Sequence, residues 1–331
     1  MFNGCSNSSE NSENKRTSTD PYSSTVYAMD TVMELTVYGN EDILEKSEDL
    51  IYELESKFSV TDTESDIYNI NHNSGGAVSP DTDELLKLAL TLCERSEGAL
   101  DISIYPVVQA WGFTSGENRI PSEAELEELL RLVDYRAVSV DENNNVTLAP
   151  GMEIDLGSVA KGYTGNRLVE LLSENGVTNA VLNLGGNVHV IGSKPNGEAW
   201  KVAVTDPSGE GYAGMLKVVD KAVITSGGYE RFFEQDGVRY HHIIDPTTGY
   251  PANNDFLSVT VIGSNGAVCD ALSTALFVMG PDRATEFWKK SDDFEAIFIT
   301  SEGISITEGL EGVFSPLGNY QNEKVTVLYR D

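Results

Sequence analysis

The segment GAVCDALSTALFVMG, residues 266–280, limits the fold more than any other stretch. At helical spacing Ala271, Leu272, Ala275, Leu276, Val278 and Met279 make it apolar almost all round, broken only by Asp270, Ser273 and Thr274. A helix of that kind is buried, so the rest of the chain has to be built around it. Asp270 and Thr274 stand at i and i+4 and share one face. A buried carboxylate without a partner is costly. The partners open to it are a cation, a basic side chain or a backbone donor, and a carboxylate beside a hydroxyl suits Mg²⁺ or Ca²⁺ better than zinc. The local alternative is that Asp270 caps a helix beginning near Ala271, with Thr274 bonding back to it.

Length and charge narrow the setting. With 331 residues the chain can bury a large core, and its size suits roughly two lobes. A formal net charge of −31 with no basic stripe excludes nucleic acid as a partner, while small anions remain accessible through a bound cation. Three cysteines make no disulfide framework, and Cys93 and Cys269 lie in apolar helical runs where a buried thiol is expected. No apolar run reaches the roughly 18 residues that mark a transmembrane helix. The opening MFNGCSNSSENSENKRTSTDPYSS reads differently. Gly4-Cys5 followed by a Ser/Asn/Glu-rich stretch resembles the end of a bacterial lipoprotein signal, so residues 1–24 are expected to be a disordered tether with a lipid on Cys5; the alternative is a free cysteine in a tag-like tail.

Helical and strand periodicities interleave along the remainder. Thr31–Gly39 alternates like a strand, and an amphipathic helix follows with Asn40 as its cap. Further helices are predicted from Pro80 to a stop at Gly98, from PSEAELEELLRLV, and from SVAKGYTGNRLVELLSENG. A hairpin through Asn143–Asn145 leads into a strand ending at Asp155, and the C-terminal half is rich in strands. The class is mixed α and β, without a solenoid repeat.

Four stretches offer chemistry. In IDLGSVAKGYTGN, Asp155 precedes a turn and a helix whose first residues include Lys161, an arrangement that can hold phosphate, or in which Asp155 merely caps the helix. In YHHIIDPTTGYP, His241 and His242 point to opposite faces of a strand, so only one can face a cleft, as a base or a phosphate contact; a histidine bracing the turn is the other reading. In NLGGNVHV, paired glycines within a strand suggest a close approach by a ligand or another strand. In SEGALDIS, Asp101 follows a helix stop, where it faces a ligand or caps the next turn.

Together and in this order, IDLGSVAKGY, NLGGNV, HHIIDPTTGYP and DALSTA resemble the FAD:protein FMN transferases, the ApbE-like flavinyltransferases, over nearly the whole chain from AMDTVMELTVYG onward. The resemblance implies an α+β, T-fold-like mixed sheet core with packed helices, residues 25–331 forming one catalytic unit of two lobes with FAD in the cleft between them. It implies Mg²⁺ held by Asp270, Thr274 and the backbone carbonyl of Ser158. FAD would touch Met29, Ala99, Leu100, Asp101, Asp155, Lys161 and, more weakly, Ile243, with His242 as the base.

The implied reaction carries FMN from FAD, through a phosphoester, onto a Thr or Ser of an acceptor protein such as a redox-pump or extracytoplasmic electron-transfer subunit, releasing AMP. The enzyme would then be a lipoprotein on the outer side of a bacterial membrane. A Mg²⁺-dependent FAD pyrophosphatase and a non-catalytic FAD-binding lipoprotein are the competing expectations. Two departures stand out. Thr61 lies near the position of the family's stacking aromatic, moving that contact to Phe58 or Tyr68, and Asp30 replaces a glycine in AMDT.

Overall fold

The computed structural model describes residues 20–330. Strands Pro21–Ala28 and Thr31–Tyr38 open the chain as a hairpin around the two-residue turn Met29-Asp30, whose φ values of 49 and 58 are those of a type I′ turn. Aspartate tolerates the left-handed region, so the turn survives the replacement of glycine by Asp30. This hairpin edges a nine-stranded sheet that continues through Ala180–Leu184, Asn187–Ile191, Lys221–Gly227, Phe256–Gly263, Phe294–Thr300, Gly303–Thr307 and Thr326–Leu328. Neighbours run antiparallel except the last pair, which is parallel. The sheet is therefore mixed.

The helix Gly266–Lys289 lies at the centre, broken at Gly280 (φ 75, ψ 171) just ahead of Pro281. Its apolar circumference has two uses. Leu272, Leu276 and Phe277 pack on Val259, Val261 and Phe298 of the sheet, whereas Ala267, Ala271 and Ala275 line the opposite side against Leu85, Leu92 and Cys93 of the helical lobe. That lobe holds the helices Ile43–Phe58, Asp66–Asn73, Pro80–Arg95 and Tyr105–Trp111, with a small sheet of Gly75–Ala77, Ser139–Val140 and Asn145–Thr147. On the far face of the large sheet a three-stranded layer, Trp200–Thr205, Tyr212–Val218 and Phe314–Pro316, buries Val223, Ile262 and Ile297. Cys93 and Cys269 are buried free thiols, as expected, and burial pushes Cys93 up to about 12.

Several local expectations are corrected. Residues 1–19, Cys5 among them, lie outside the described residues, but Pro21–Ser24 already belong to a strand, so a tether cannot extend to residue 24. Asn40 does not cap the first long helix, which begins at Ile43 after Asp42. No strand ends at Asp155. Residues 152–156 bury every second side chain as a strand would, yet Ile154 is paired with the side chain of Asn71 (Ile154 N to Asn71 Oδ1 2.8 Å, Asn71 Nδ2 to Ile154 O 2.9 Å) and Asp155 N donates to Ile102 O at 2.8 Å. Gly185-Gly186 are not inside a strand either. They form the two-residue turn between Ala180–Leu184 and Asn187–Ile191, and a Cβ on Gly185 would stand 2.2 Å from Thr31 Oγ1.

Candidate active site

Two helices meet backbone to backbone beside Asp270. On Ala160–Glu174 the face carrying Gly162, Gly165 and Asn166 turns toward the start of the central helix. A Cβ on Gly162 would lie 2.3 Å from Gly266 O and 2.7 Å from Asp270 Cβ, so glycine is required for this approach. Asn166 secures it, accepting from Gly266 N at 2.7 Å and donating to Asn265 Oδ1 at 2.8 Å. Asn265 itself caps the central helix through Val268 N. Asp270 is therefore not a cap but sits a full turn inside, 5% exposed, with Oδ2 accepting from Gly162 N at 2.8 Å. Burial pushes its carboxyl above the usual range, opposed by Lys161, the Gly162 N–H and the Asn187 side chain.

Thr274, one turn on, is half-buried and its Oγ1 lies 3.3 Å from Ser226 Oγ, which also meets Ser273 Oγ at 2.7 Å. Ser158 occupies the turn just before Ala160. The donor set of one buried carboxylate, one hydroxyl and a carbonyl fits a hard cation such as Mg²⁺, which usually keeps several waters and takes few protein ligands. Among the described residues there is no group of three His, Cys, Asp or Glu placed to hold a metal, so the softer-ligand cages of zinc sites have no counterpart there.

Lys161 acts on four titrating groups. It draws the carboxyls of Asp155, Glu230 and Asp270 toward their charged forms, Arg231 joining it at the first two, and both cations help depress His242. Asp155 does not cap a helix: its Oδ1 accepts from Gly157 N at 2.8 Å, and the following helix has Val159 as its cap position. Burial pushes Asp155 upward. Glu230 is exposed but lines the cavity beside Phe113 and Phe232, and partial desolvation there, with Asp270 adding to it, pushes its carboxyl upward.

The two histidines part as expected. His241 turns toward Phe277 and Ala252 O, whereas His242 donates from Nδ1 toward Arg231 O (3.2 Å), which leaves Nε2 with the free lone pair. Burial, chiefly, holds His242 down to about 4, so it is neutral at pH 7.

Met29 sits in the hairpin turn, its N–H on Glu55 Oε1 (2.6 Å) and its Sδ 3.8 Å from Thr164 Oγ1, one turn along from Lys161. Ala99 and Leu100 are buried in the core of the helical lobe. Both carboxylate oxygens of Asp101 are engaged within the protein, Oδ1 by Ser103 N and Oγ and Oδ2 by Tyr135 N. Ile243 lies in the core with Phe256 and Phe277, so its side chain is not in the cleft. Phe58 is likewise a core residue, edge-on to Tyr163, and Tyr68 stacks on His72 of its own helix. Phe58 is thereby closed to a ligand, and one face of the Tyr68 ring is taken by His72.

The rings near the cleft are Phe113 and Phe232, which with Asp30, Asn118, Glu230 and Arg231 line a cavity of about 420 Å³. Sequence reasoning missed Glu230 and Arg231. Their signal was a charged pair in the turn following Gly227-Gly228, which has no distinctive spacing.

A mixed sheet, a buried carboxylate and hydroxyl on one helix, and a cleft holding Lys161 and a neutral histidine give an α+β protein whose donor set would suit a hard cation. Known proteins place it further. The profile described as the ApbE family matches residues 29–298. A curated protein of Klebsiella pneumoniae (strain 342) named FAD:protein FMN transferase is 34% identical over 305 residues, 89% of this chain and 95% of that protein. One of the same name from Treponema pallidum (strain Nichols) is 36% identical over 276 residues, 77% and 76% of the two chains. The crystal structure of the ApbE protein from Thermotoga maritima superposes with a TM-score of 0.83 at 35% identity, covering 89% of this chain and 99% of that one. The apo form of Pseudomonas stutzeri flavinyl transferase ApbE gives 0.79 at 25%, covering 89% and 96%. The chain belongs to the ApbE family, has its fold, and is a transferase.

Proposed function

We propose that this cleft transfers FMN from FAD to a Ser or Thr hydroxyl of an acceptor protein and releases AMP, with Mg²⁺ held by Asp270, Thr274 and the Ser158 carbonyl. The observation that carries the reading is the gathering of Asp155, Glu230, Asp270 and His242 around Lys161, with Arg231 acting on all of them but Asp270, beside an oxygen-ligand pair, in a chain whose relatives are named FAD:protein FMN transferases.

The acceptor oxygen bonds to the FMN phosphorus, the bond from that phosphorus to the bridging oxygen breaks, and AMP departs with the electron pair. Lys161 offsets the charge that spreads over the phosphoryl oxygens. Bound Mg²⁺ supplies the remaining neutralisation of the pyrophosphate. His242, neutral and fixed by Arg231 O, takes the hydroxyl proton on Nε2; an anionic substrate nearby raises its basicity from the low resting value.

On the strength of Gly4-Cys5 and the polar stretch after it, the reading extends to a lipid-anchored enzyme outside the cytoplasm, checked by loss of lipid labelling in Cys5→Ser. The reaction is tested by incubating the chain with FAD, Mg²⁺ and a separately expressed Thr-containing acceptor domain, with Asp270→Ala as control, and following flavin fluorescence on the acceptor. Labelling that needs both Mg²⁺ and Asp270 supports transfer. Mg²⁺-dependent AMP and free FMN without labelling identifies a pyrophosphatase, and neither product leaves a flavin binder.

A further inference from the structure

Asn187 begins the strand Asn187–Ile191 directly after the Gly185-Gly186 turn, and its side chain is buried, 3% exposed. Its Nδ2 has no partner at full hydrogen-bond geometry, and the group it leans on is the Asp270 carboxylate. A buried amide so weakly engaged costs up to about 1–3 kcal/mol, so its place is not explained by what it contributes to folding.

Its surroundings suggest the reason. His189, two residues on and on the same face of the strand, inserts its ring between the two helices that carry the site: a Cβ on either Gly165 or Gly266 would stand 2.0 Å from that ring. The inner face of this strand is thus pressed against the seam where Asp270 is rooted. Asp270 gives Oδ2 to the Gly162 N–H. The Asn187 amide is the side chain that approaches the Asp270 carboxylate from this strand, and both residues are buried.

We propose that Asn187 is a positioning residue for the divalent-cation site, its Nδ2 group fixing the rotation of the Asp270 carboxylate against the Gly162 N–H so that a cation meets a ligand already turned to receive it. This rests on the reading of Asp270 as a cation ligand. Groups that orient a ligand in this way commonly change metal affinity by about 10–100-fold when removed. A residue that only filled the end of the hairpin would change thermal stability and leave affinity alone.

The test is Mn²⁺ binding to the cation-free full chain, followed by electron paramagnetic resonance of free Mn²⁺, in wild type, Asn187→Leu, Asn187→Ala, Asn187→Ser and Asp270→Asn. The Leu and Ala variants are expected to bind Mn²⁺ about 10–100-fold more weakly, with a cation-free melting temperature at or above that of wild type. Asn187→Ser, which keeps a donor, falls between. Either the Leu or the Ala variant, whichever folds, binding Mn²⁺ as tightly as wild type overturns the proposal. A wild-type chain that binds Mn²⁺ no better than Asp270→Asn removes the cation site itself and the proposal with it. The two failures are thereby told apart.

Discussion

Replacing Gly162 by alanine sets two effects of opposite sign against each other. Alanine is favoured over glycine in a helix by about 1 kcal/mol, so on propensity alone the variant would melt higher. The contacts say otherwise. The new Cβ would lie 2.3 Å from Gly266 O and 2.7 Å from Asp270 Cβ, where ordinary contact begins at 3.4 Å, so backbone must yield by about 1 Å. Overpacking of that kind costs about 1–3 kcal/mol. The same movement stretches the 2.8 Å bond from Gly162 N to Asp270 Oδ2, and a hydrogen bond to a charged group contributes about 1.5–3 kcal/mol.

The net loss is about 2–5 kcal/mol. At about 2.1 cal/mol/K of unfolding entropy per residue, 1 kcal/mol moves the midpoint of a chain this long by about 1.5 °C. Gly162→Ala is therefore expected to melt about 3–8 °C below wild type in calorimetry, and to bind Mn²⁺ more weakly. A midpoint equal to or above that of wild type would refute the reasoning, because it would mean that the seam between the two helices has slack.

Four other substitutions probe separate parts of the argument. His189 is buried without a partner for Nε2 and is held down to about 4 by burial; its folded value lies below the unfolded one, so its contribution to stability is present above about pH 6.5 and lost as pH falls through 4. His189→Gln should remove up to about 1.4 kcal/mol per pH unit of stability slope between those values, and an unchanged slope in pH-dependent melts counts against it. Asp270 is pushed upward, so its favourable contribution exists below the usual carboxylate range and is lost as pH rises; cation-free Asp270→Asn should gain on wild type more at pH 8 than at pH 4. Lys161→Met should weaken FAD binding, read by flavin fluorescence quenching, with the fold intact by circular dichroism, since among the described residues Lys161 makes no close ion pair. Asp30→Val should cost about 1–2 kcal/mol more than Asp30→Gly, because a β-branched side chain strains the left-handed turn at φ 58; equal melting points would rule that out.

What could be read in advance followed the physics of each signal. The central helix was legible because an apolar run at helical spacing has few alternatives, and its acid stood out as a cost needing an explanation. The helix starts at Pro80 and Ser122 were carried by their own residues, and the structure adds Ser79 as the cap of the first, both serine side chains accepting from an N–H three positions on. The segment before Asp155 was misread because periodicity reports which side chains are buried, not what the backbone bonds to. There the partner is an amide side chain from Asn71, which no local pattern announces. The Gly185-Gly186 turn was hidden because two glycines in an apolar context suit a close approach and a tight turn equally. Glu230 and Arg231 stayed out of view since their roles depend on which distant groups the fold sets opposite them.

The position of the central helix between two cores has a consequence for how the protein comes into being. Ala271 and Leu272, adjacent in the chain, are claimed by different halves of the molecule. A folding intermediate with only the sheet side assembled leaves the alanine face wet, and one with only the helical lobe leaves the leucine face wet. In neither is Asp270 enclosed. On the proposed reading of Asp270 as a cation ligand, cation uptake then requires both halves to be docked, and a copy with one half misassembled would be inert rather than wrongly active.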